Sequence, residues 1–213
     1  MPRGALRSEL VCLLRKSHAG RLPRARGTAR FTGVQNMTSI SLRPPEVAAR
    51  IVPGHWEAAL IKGARNLSSV GSMVERVSRY VMLARMDNSG ADAALAGFSR
   101  RLREVPPSLR KTLTYDQGTE MAKHQVLSKR LRMDIYFCDP HSPWQRGSNE
   151  NTNGLLREYL PKGMDFSTIT QRDLSRIEHA LNNRPRKILG FRTPAEVFSV
   201  LQPNDIMGVA LQA

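Results

Sequence analysis

The chain has 213 residues, enough for one well-buried domain with an extension. Its hydrophobic content of 40% and charged content of 24% are ordinary for a globular protein, and no run approaches the roughly 18 to 20 apolar residues of a membrane-spanning helix. The formal net charge of +15 repels cationic surfaces and attracts polyanions, nucleic acid foremost.

Taken from the start, the charge is uneven. Residues 1–53 hold ten Lys or Arg against Glu9 and Glu46, a balance of +8 that leaves +7 for the remaining 160 residues. This first quarter reads as a basic arm: a short amphipathic helix over 6–16, then a stretch too broken by Pro, Gly and Ser/Thr to form a core. The apolar patch at 10–14 ends at Arg15 and Lys16 with no small-residue cleavage site after it, so no secretory signal is expected. Cys12 and Cys138 lie far apart and outside any CxxC pair, which predicts two reduced thiols rather than a zinc module or disulfide framework.

From Gly54 short apolar runs predict strands at 56–61, 70–74 and 80–86, a meander. Helical spacing follows over 91–105 and stops at Pro106-Pro107. A fourth strand at 111–115, a helix over 121–131 and a fifth strand at 135–138 come next. After the Asp139-Pro140-His141-Ser142-Pro143 turn, helices are predicted over 144–159 and 171–182, then a basic loop and a short helix from Pro194. The order βββαβαβα is a mixed α/β pattern. It matches an RNase H-like fold: a mixed five-stranded sheet flanked by helices, whose first, fourth and fifth strands lie centrally and bring acidic side chains to one edge.

Phosphodiester chemistry with two divalent ions needs carboxylates from separate elements, converging on metals roughly 3.5 to 4 Å apart. Magnesium favours such an oxygen-rich setting. Asp116 ends the fourth strand and Glu150 lies on the helix after the fifth, with 33 residues between them. Taken singly, an Asp before Gln-Gly is often a turn former, and a Glu near a helix start often complements the helix dipole.

Together with their surroundings they resemble the IS thirty family of insertion-sequence transposases, a DDE family with an integrase-type catalytic core. The strings that carry the resemblance are Pro53-Gly54-His55-Trp56-Glu57, Leu60-Ile61-Lys62-Gly63, Val74-Glu75-Arg76, Thr114-Tyr115-Asp116-Gln117-Gly118, Asp139 through Gly147, Asn149-Glu150-Asn151-Thr152-Asn153-Gly154-Leu155, Arg184-Pro185-Arg186-Lys187 and Leu189-Gly190-Phe191. The resemblance implies DNA cleavage and strand transfer with Mg²⁺ or Mn²⁺ held by Asp116 and Glu150. It also implies DNA partners (element ends and target DNA), a homo-oligomer, no membrane, and a cytoplasmic, nucleoid-associated bacterial setting.

Two departures stand out. The family's first Asp falls where this chain has Ala59, which predicts weakened metal binding and an inactive chain. Glu57 shares a strand face with Ala59, but their Cα atoms are roughly 6.5 to 7 Å apart, so it is at best a weak substitute. The helix-turn-helix segments expected ahead of the catalytic region are missing, as in an N-terminally truncated chain. The division is therefore a basic, partly helical arm or linker (1–53), the catalytic core (54–202) and a C-terminal tail (203–213).

Arg146, Asn153 and Arg157 share the helix face of Glu150, and with Asn149 and Asn151 they offer donors to phosphates or base edges. Helix capping is an equal account of the asparagines. Trp144 reads first as a core anchor and second as a base-stacking group. His141 has no second ligand at zinc spacing, and capping or packing explains it as well as phosphate contact. Lys162, Arg184, Arg186 and Lys187 extend a basic track, read as phosphate-contacting over a solvated face. Two functions follow: a DDE transposase core inactivated at Ala59, or a non-catalytic DNA-binding or oligomerising remnant that competes with intact transposase.

Overall fold

The computed structural model describes residues 34–202. The amphipathic helix expected over 6–16 and the tail at 203–213 lie outside the described residues. Among those described, five strands form one sheet: β1 (His55–Lys62), β2 (Ser69–Glu75), β3 (Val81–Met86), β4 (Thr112–Tyr115) and β5 (Asp134–Phe137). Their spatial order is β3-β2-β1-β4-β5. The first three pair antiparallel as the predicted meander, and β1 to β4 and β4 to β5 pair parallel. This is the mixed five-stranded sheet that the element order predicts, except that β5, expected to lie centrally, is an edge strand, because β4 pairs with β1 on one side and leaves β5 its outer partner.

Alternation along the strands sorts the core into two layers. Trp56, Ala58, Met73, Met82, Leu113, Tyr115, Ile135 and Phe137 fill one layer. Helix α1 (Glu46–Ala49) precedes the sheet; α2 (Ala91–Leu102) and α3 (His124–Leu131) cover this layer with Phe98, Leu102, Leu127 and Leu131. Ile61, Val70, Val74, Val81 and Leu83 point the other way, against Leu155 and Leu156 of α4 (Gly147–Leu156) and Leu174 and Leu181 of α5 (Gln171–Asn182). A short α6 (Pro194–Leu201) closes the described chain, opened by a Thr193/Glu196 capping box. No described helix is long and apolar enough to cross a membrane.

Both sheet edges have partners. On β3, Asn182 accepts from Val81 N and donates to Val81 O, both at 2.8 Å, and Glu178 accepts from Leu83 N at 2.5 Å. Side chains of α5 thus take up outward-facing backbone groups of this edge strand. On β5, Phe137 N donates to Thr38 O at 2.8 Å, and Val34 and Val47 are buried. Residues read from sequence as too broken for a core therefore cover an edge strand, because that strand's N–H needs an acceptor.

Element bounds shift slightly. The helix expected over 121–131 is a 3₁₀ turn (Thr119–Met121) followed by α3, and that over 144–159 is a 3₁₀ turn (Pro143–Arg146) followed by α4. In the second turn Arg146 alone is buried, while Trp144 faces outward, 73% exposed. Trp144 is not the core anchor that its place at a helix start favours.

Candidate active site

Parallel register places Glu57 of β1 beside Thr114 of β4. Two residues further along each strand stand Ala59 and Asp116, on the same face by alternation, the face that α4 covers. Asp116 follows the last residue of β4, half-exposed, and α4 presents Glu150, also half-exposed.

Arg146 ties these elements together. One terminal nitrogen of its guanidinium lies 3.1 Å from Asp116 Oδ2 and 3.4 Å from Glu150 Oε1, and the other donates to the Ala58 carbonyl at 2.9 Å. The two carboxylates, one at a strand end and one on a helix, therefore meet at a single cation fastened to β1 next to Ala59. The Arg146 side chain is 7% exposed, so its charge is largely withdrawn from water and depends on this acidic pair.

Behind this corner lies a second polar group. Glu57 is fully buried; it accepts from Asn149 N at 2.9 Å and stands 3.3 Å from Arg76 Nε, close as an ion pair but poorly aligned as a hydrogen bond. Burial pulls the Arg76 guanidinium down to about 10 despite the neighbouring Glu57, which leaves it charged at neutral pH. Asn149 is also fully buried, its amide donating to the Glu57 and Ser72 carbonyls and to Ser72 Oγ. Asn153 extends the chain, donating to Asn149 Oδ1 and accepting from Ser72 Oγ, both at 2.8 Å. Asn149 and Asn153 thus fasten α4 to β1 and β2. Burial raises the Cys138 thiol to about 11, so it stays protonated at neutral pH.

Of the other residues singled out in the sequence, Asn151, Lys162, Arg184 and Lys187 are exposed, Arg184 lying 3.8 Å from Glu158. Arg157 is half-buried and caps the Leu160 and Lys62 carbonyls. Arg186 is half-buried and donates to Leu181 O at 3.2 Å. Sequence reasoning passed over Arg50, Arg76 and Arg79. Arg76 lies in the Val74-Glu75-Arg76 string and Arg79 three residues beyond it, the available signal.

Asp116 and Glu150 are suitable oxygen donors for a hard divalent ion. Two ions are a different matter: Ala59 offers a methyl group on β1, the Ala58 carbonyl is already bonded to Arg146, and a guanidinium stands between the two acids. No group of three or more His, Cys, Asp or Glu able to hold a metal occurs among the described residues. This donor set does not fit a two-metal centre.

No protein-family model matches the chain. The transposase for insertion sequence element IS1086 of Cupriavidus metallidurans is 54% identical over 203 residues, covering 95% of this chain and 60% of that protein. Transposase InsI for insertion sequence element IS30A of Escherichia coli is 40% identical over 187 residues, covering 86% of this chain and 49% of that protein. The chain spans about half to three-fifths of the length of these relatives. Among solved structures, the catalytic core domain of BIV integrase superposes with a TM-score of 0.54 at 18% identity, over 70% of this chain and 95% of that one. A chain of the simian T-cell lymphotropic virus intasome superposes with a TM-score of 0.56 at 18% identity, over 76% of this chain and 59% of that one. By these relatives and this architecture, the chain is similar over most of its length to the transposases of insertion sequence elements IS1086 and IS30A and carries the fold of an integrase catalytic core.

Proposed function

We propose that the chain is the DNA-processing core of an insertion-sequence transposase in which Asp116 and Glu150 survive from a three-carboxylate set and Ala59 stands at the first position. The observation that supports this most is the meeting of Asp116 and Glu150 at Arg146, whose guanidinium is bonded to the strand carbonyl beside Ala59. In the family's reaction, water or a DNA 3′-hydroxyl attacks a phosphodiester with Mg²⁺ or Mn²⁺, in a homo-oligomer that holds element ends and target DNA. Here the chain binds DNA but performs negligible cleavage or strand transfer, because one acid is missing and a cation occupies the space between the other two. Glu57 does not take its place, since its carboxylate is engaged by Arg76 and the Asn149 N–H.

The second reading, a remnant that competes with intact transposase, has the same support in Arg146. An arginine that neutralises the acidic pair lets the fold persist without metal. Calorimetric titration with Mn²⁺ separates an impaired metal site from none. Ala59→Asp should bind Mn²⁺ at least tenfold more tightly than the unmodified chain, and Asp116→Asn should abolish that gain. Equal Mn²⁺ affinity in the unmodified chain and in Ala59→Asp would remove residue 59 from the site.

A further inference from the structure

We infer that the loop between α5 and α6 forms an apolar tip, made by Ile188 and Phe191, that inserts against the bases of duplex DNA beside the acidic corner. The inference rests on the reading of the chain as a DNA-handling core, and it gives that core a contact that is not electrostatic.

Ile188 is 69% exposed and Phe191 71% exposed, two large apolar side chains on one tight loop. Single exposed hydrophobics are ordinary, whereas a pair side by side forms a patch with surface to bury. The backbone keeps it in water. After α5 ends at Asn182, a 3₁₀ turn (Lys187–Leu189) begins the loop, and its neck is closed by Arg186 N donating to Arg192 O at 3.0 Å and Phe191 N donating to Arg186 O at 2.9 Å. Gly190 and Phe191 turn the chain back with φ of +62° and +66°. Helix α6 then buries Val197 and Phe198, and the Phe198 ring stacks on Tyr80 with centroids 4.3 Å apart. Both ends of the loop are thus fastened to the domain, and the tip is held outward before any partner arrives.

Charge selects the partner. Between Glu178 and Glu196 the sequence holds four Lys or Arg and no acid. Arg184 lies 3.8 Å from Glu158, and Arg186 turns back to Leu181 O, but Lys187 and Arg192, beside Ile188 and Phe191 in the chain, are exposed. Glu196 is committed to its helix cap, accepting from Thr193 N at 2.7 Å. A second copy of the chain would bring the same cations and the same net charge of +15 to this tip. Duplex DNA instead brings phosphates to Lys187 and Arg192, and base faces to Phe191 and Ile188, residue types that act as wedges between base steps. Position agrees with charge: Ile188 lines one cleft of about 360 Å³ with Ser148, Asn151 and Thr152 of α4, the helix that carries Glu150. DNA that reaches the acidic corner therefore passes the tip.

The test is binding of short labelled duplexes of arbitrary sequence, matched or with one central mismatch, read by fluorescence anisotropy at several salt concentrations. Phe191→Asn and Ile188→Gln remove the apolar surface, asparagine being a residue that tolerates the left-handed conformation. Lys187→Gln removes a rim charge, and Val126→Ser, on α3 across the sheet, is the apolar control. Circular dichroism checks that each variant is folded. Both tip variants should bind the matched duplex roughly tenfold more weakly with an unchanged log–log salt slope, whereas Lys187→Gln should flatten that slope by about one. The unmodified chain should prefer the mismatched duplex, whose bases unstack more readily, and Phe191→Asn should lose that preference. A preference that survives in Phe191→Asn, or tip variants that bind with a clear salt dependence and match Val126→Ser, would refute the insertion while the DNA reading stands. Tip variants that bind DNA normally but sediment as a smaller species would show that the tip joins copies of the chain instead. If the unmodified chain shows no salt-dependent binding, the DNA reading falls and the insertion with it.

Discussion

Glu57→Gln, a change of one atom and one charge, should unfold the domain well below its normal melting temperature. The carboxylate is fully buried, 3.3 Å from Arg76 Nε, and Arg76 is itself 5% exposed. Removing one partner of a buried ion pair leaves the other charged and desolvated, at a cost of about 3–5 kcal/mol. Glutamine keeps an oxygen that can still accept from Asn149 N, which places the loss at the lower end, about 3 kcal/mol. Against a total stability of about 5–15 kcal/mol this is a large fraction. At about 2–4 °C per kcal/mol for a domain of this size, the melting temperature should fall by about 6–12 °C. Thermal unfolding followed by circular dichroism measures it, with Arg76→Met and the double variant completing a cycle. Each single variant should cost more than its share of the double, since the second change removes the orphan that the first creates. A melting temperature for Glu57→Gln within about 2 °C of the unmodified chain would show that the carboxylate is not committed to Arg76, and the case against its acting as a metal ligand would go with it.

Three further outcomes follow. Arg146→Gln should raise Mn²⁺ affinity several-fold in calorimetry while lowering thermal stability, because the cation between Asp116 and Glu150 and a donor to Ala58 O are lost together; unchanged affinity would mean that the guanidinium does not hold that space. His55 is held near pKa 4 by burial, then by Lys111, Arg76 and Arg43, below the ordinary histidine value of 6.5. It is thus neutral when folded and charged when unfolded between those values, so its stabilisation is complete above about pH 6.5 and is lost as pH falls towards 4. Urea unfolding at pH 7 and pH 5 should show a smaller stability difference in His55→Gln than in the unmodified chain. Of the two tryptophans, Trp56 is fully buried and Trp144 is 73% exposed, so any change in tryptophan emission on DNA binding should disappear in Trp144→Phe and survive in the control Tyr159→Phe.

Much of the fold was legible because its signals are local. Short apolar runs separated by turns marked the strands, Pro106-Pro107 marked the end of α2, and the start of α5 coincides with its capping box at Thr170 and Asp173. The role of residues 34–49 was not legible, since it depends on an unpaired N–H of Phe137 about a hundred residues away. The strings around Asp116 and Glu150 singled out the two carboxylates that the structure brings against Arg146. What surrounds them was not. A helical asparagine looks the same in sequence whether it faces a ligand, as Asn151 can, or locks the helix to a sheet, as Asn149 does through Glu57 and Ser72. Arg146 read as a donor to DNA for a similar reason: only the three-dimensional turn at Pro143–Arg146 directs it inward to the two acids.

The central claim is that residue 59 decides whether this core can act on DNA. The most direct measurement is a strand-transfer assay on the chain with Ala59 and with Ala59→Asp, each joined to the N-terminal region of the transposase for insertion sequence element IS1086 and supplied with Mg²⁺ or Mn²⁺. The Ala59 protein should give no product above background, and Ala59→Asp should raise the rate by about 10³-fold or more, the scale of several kcal/mol of barrier. Efficient metal-dependent strand transfer by the protein that retains Ala59 would contradict the account.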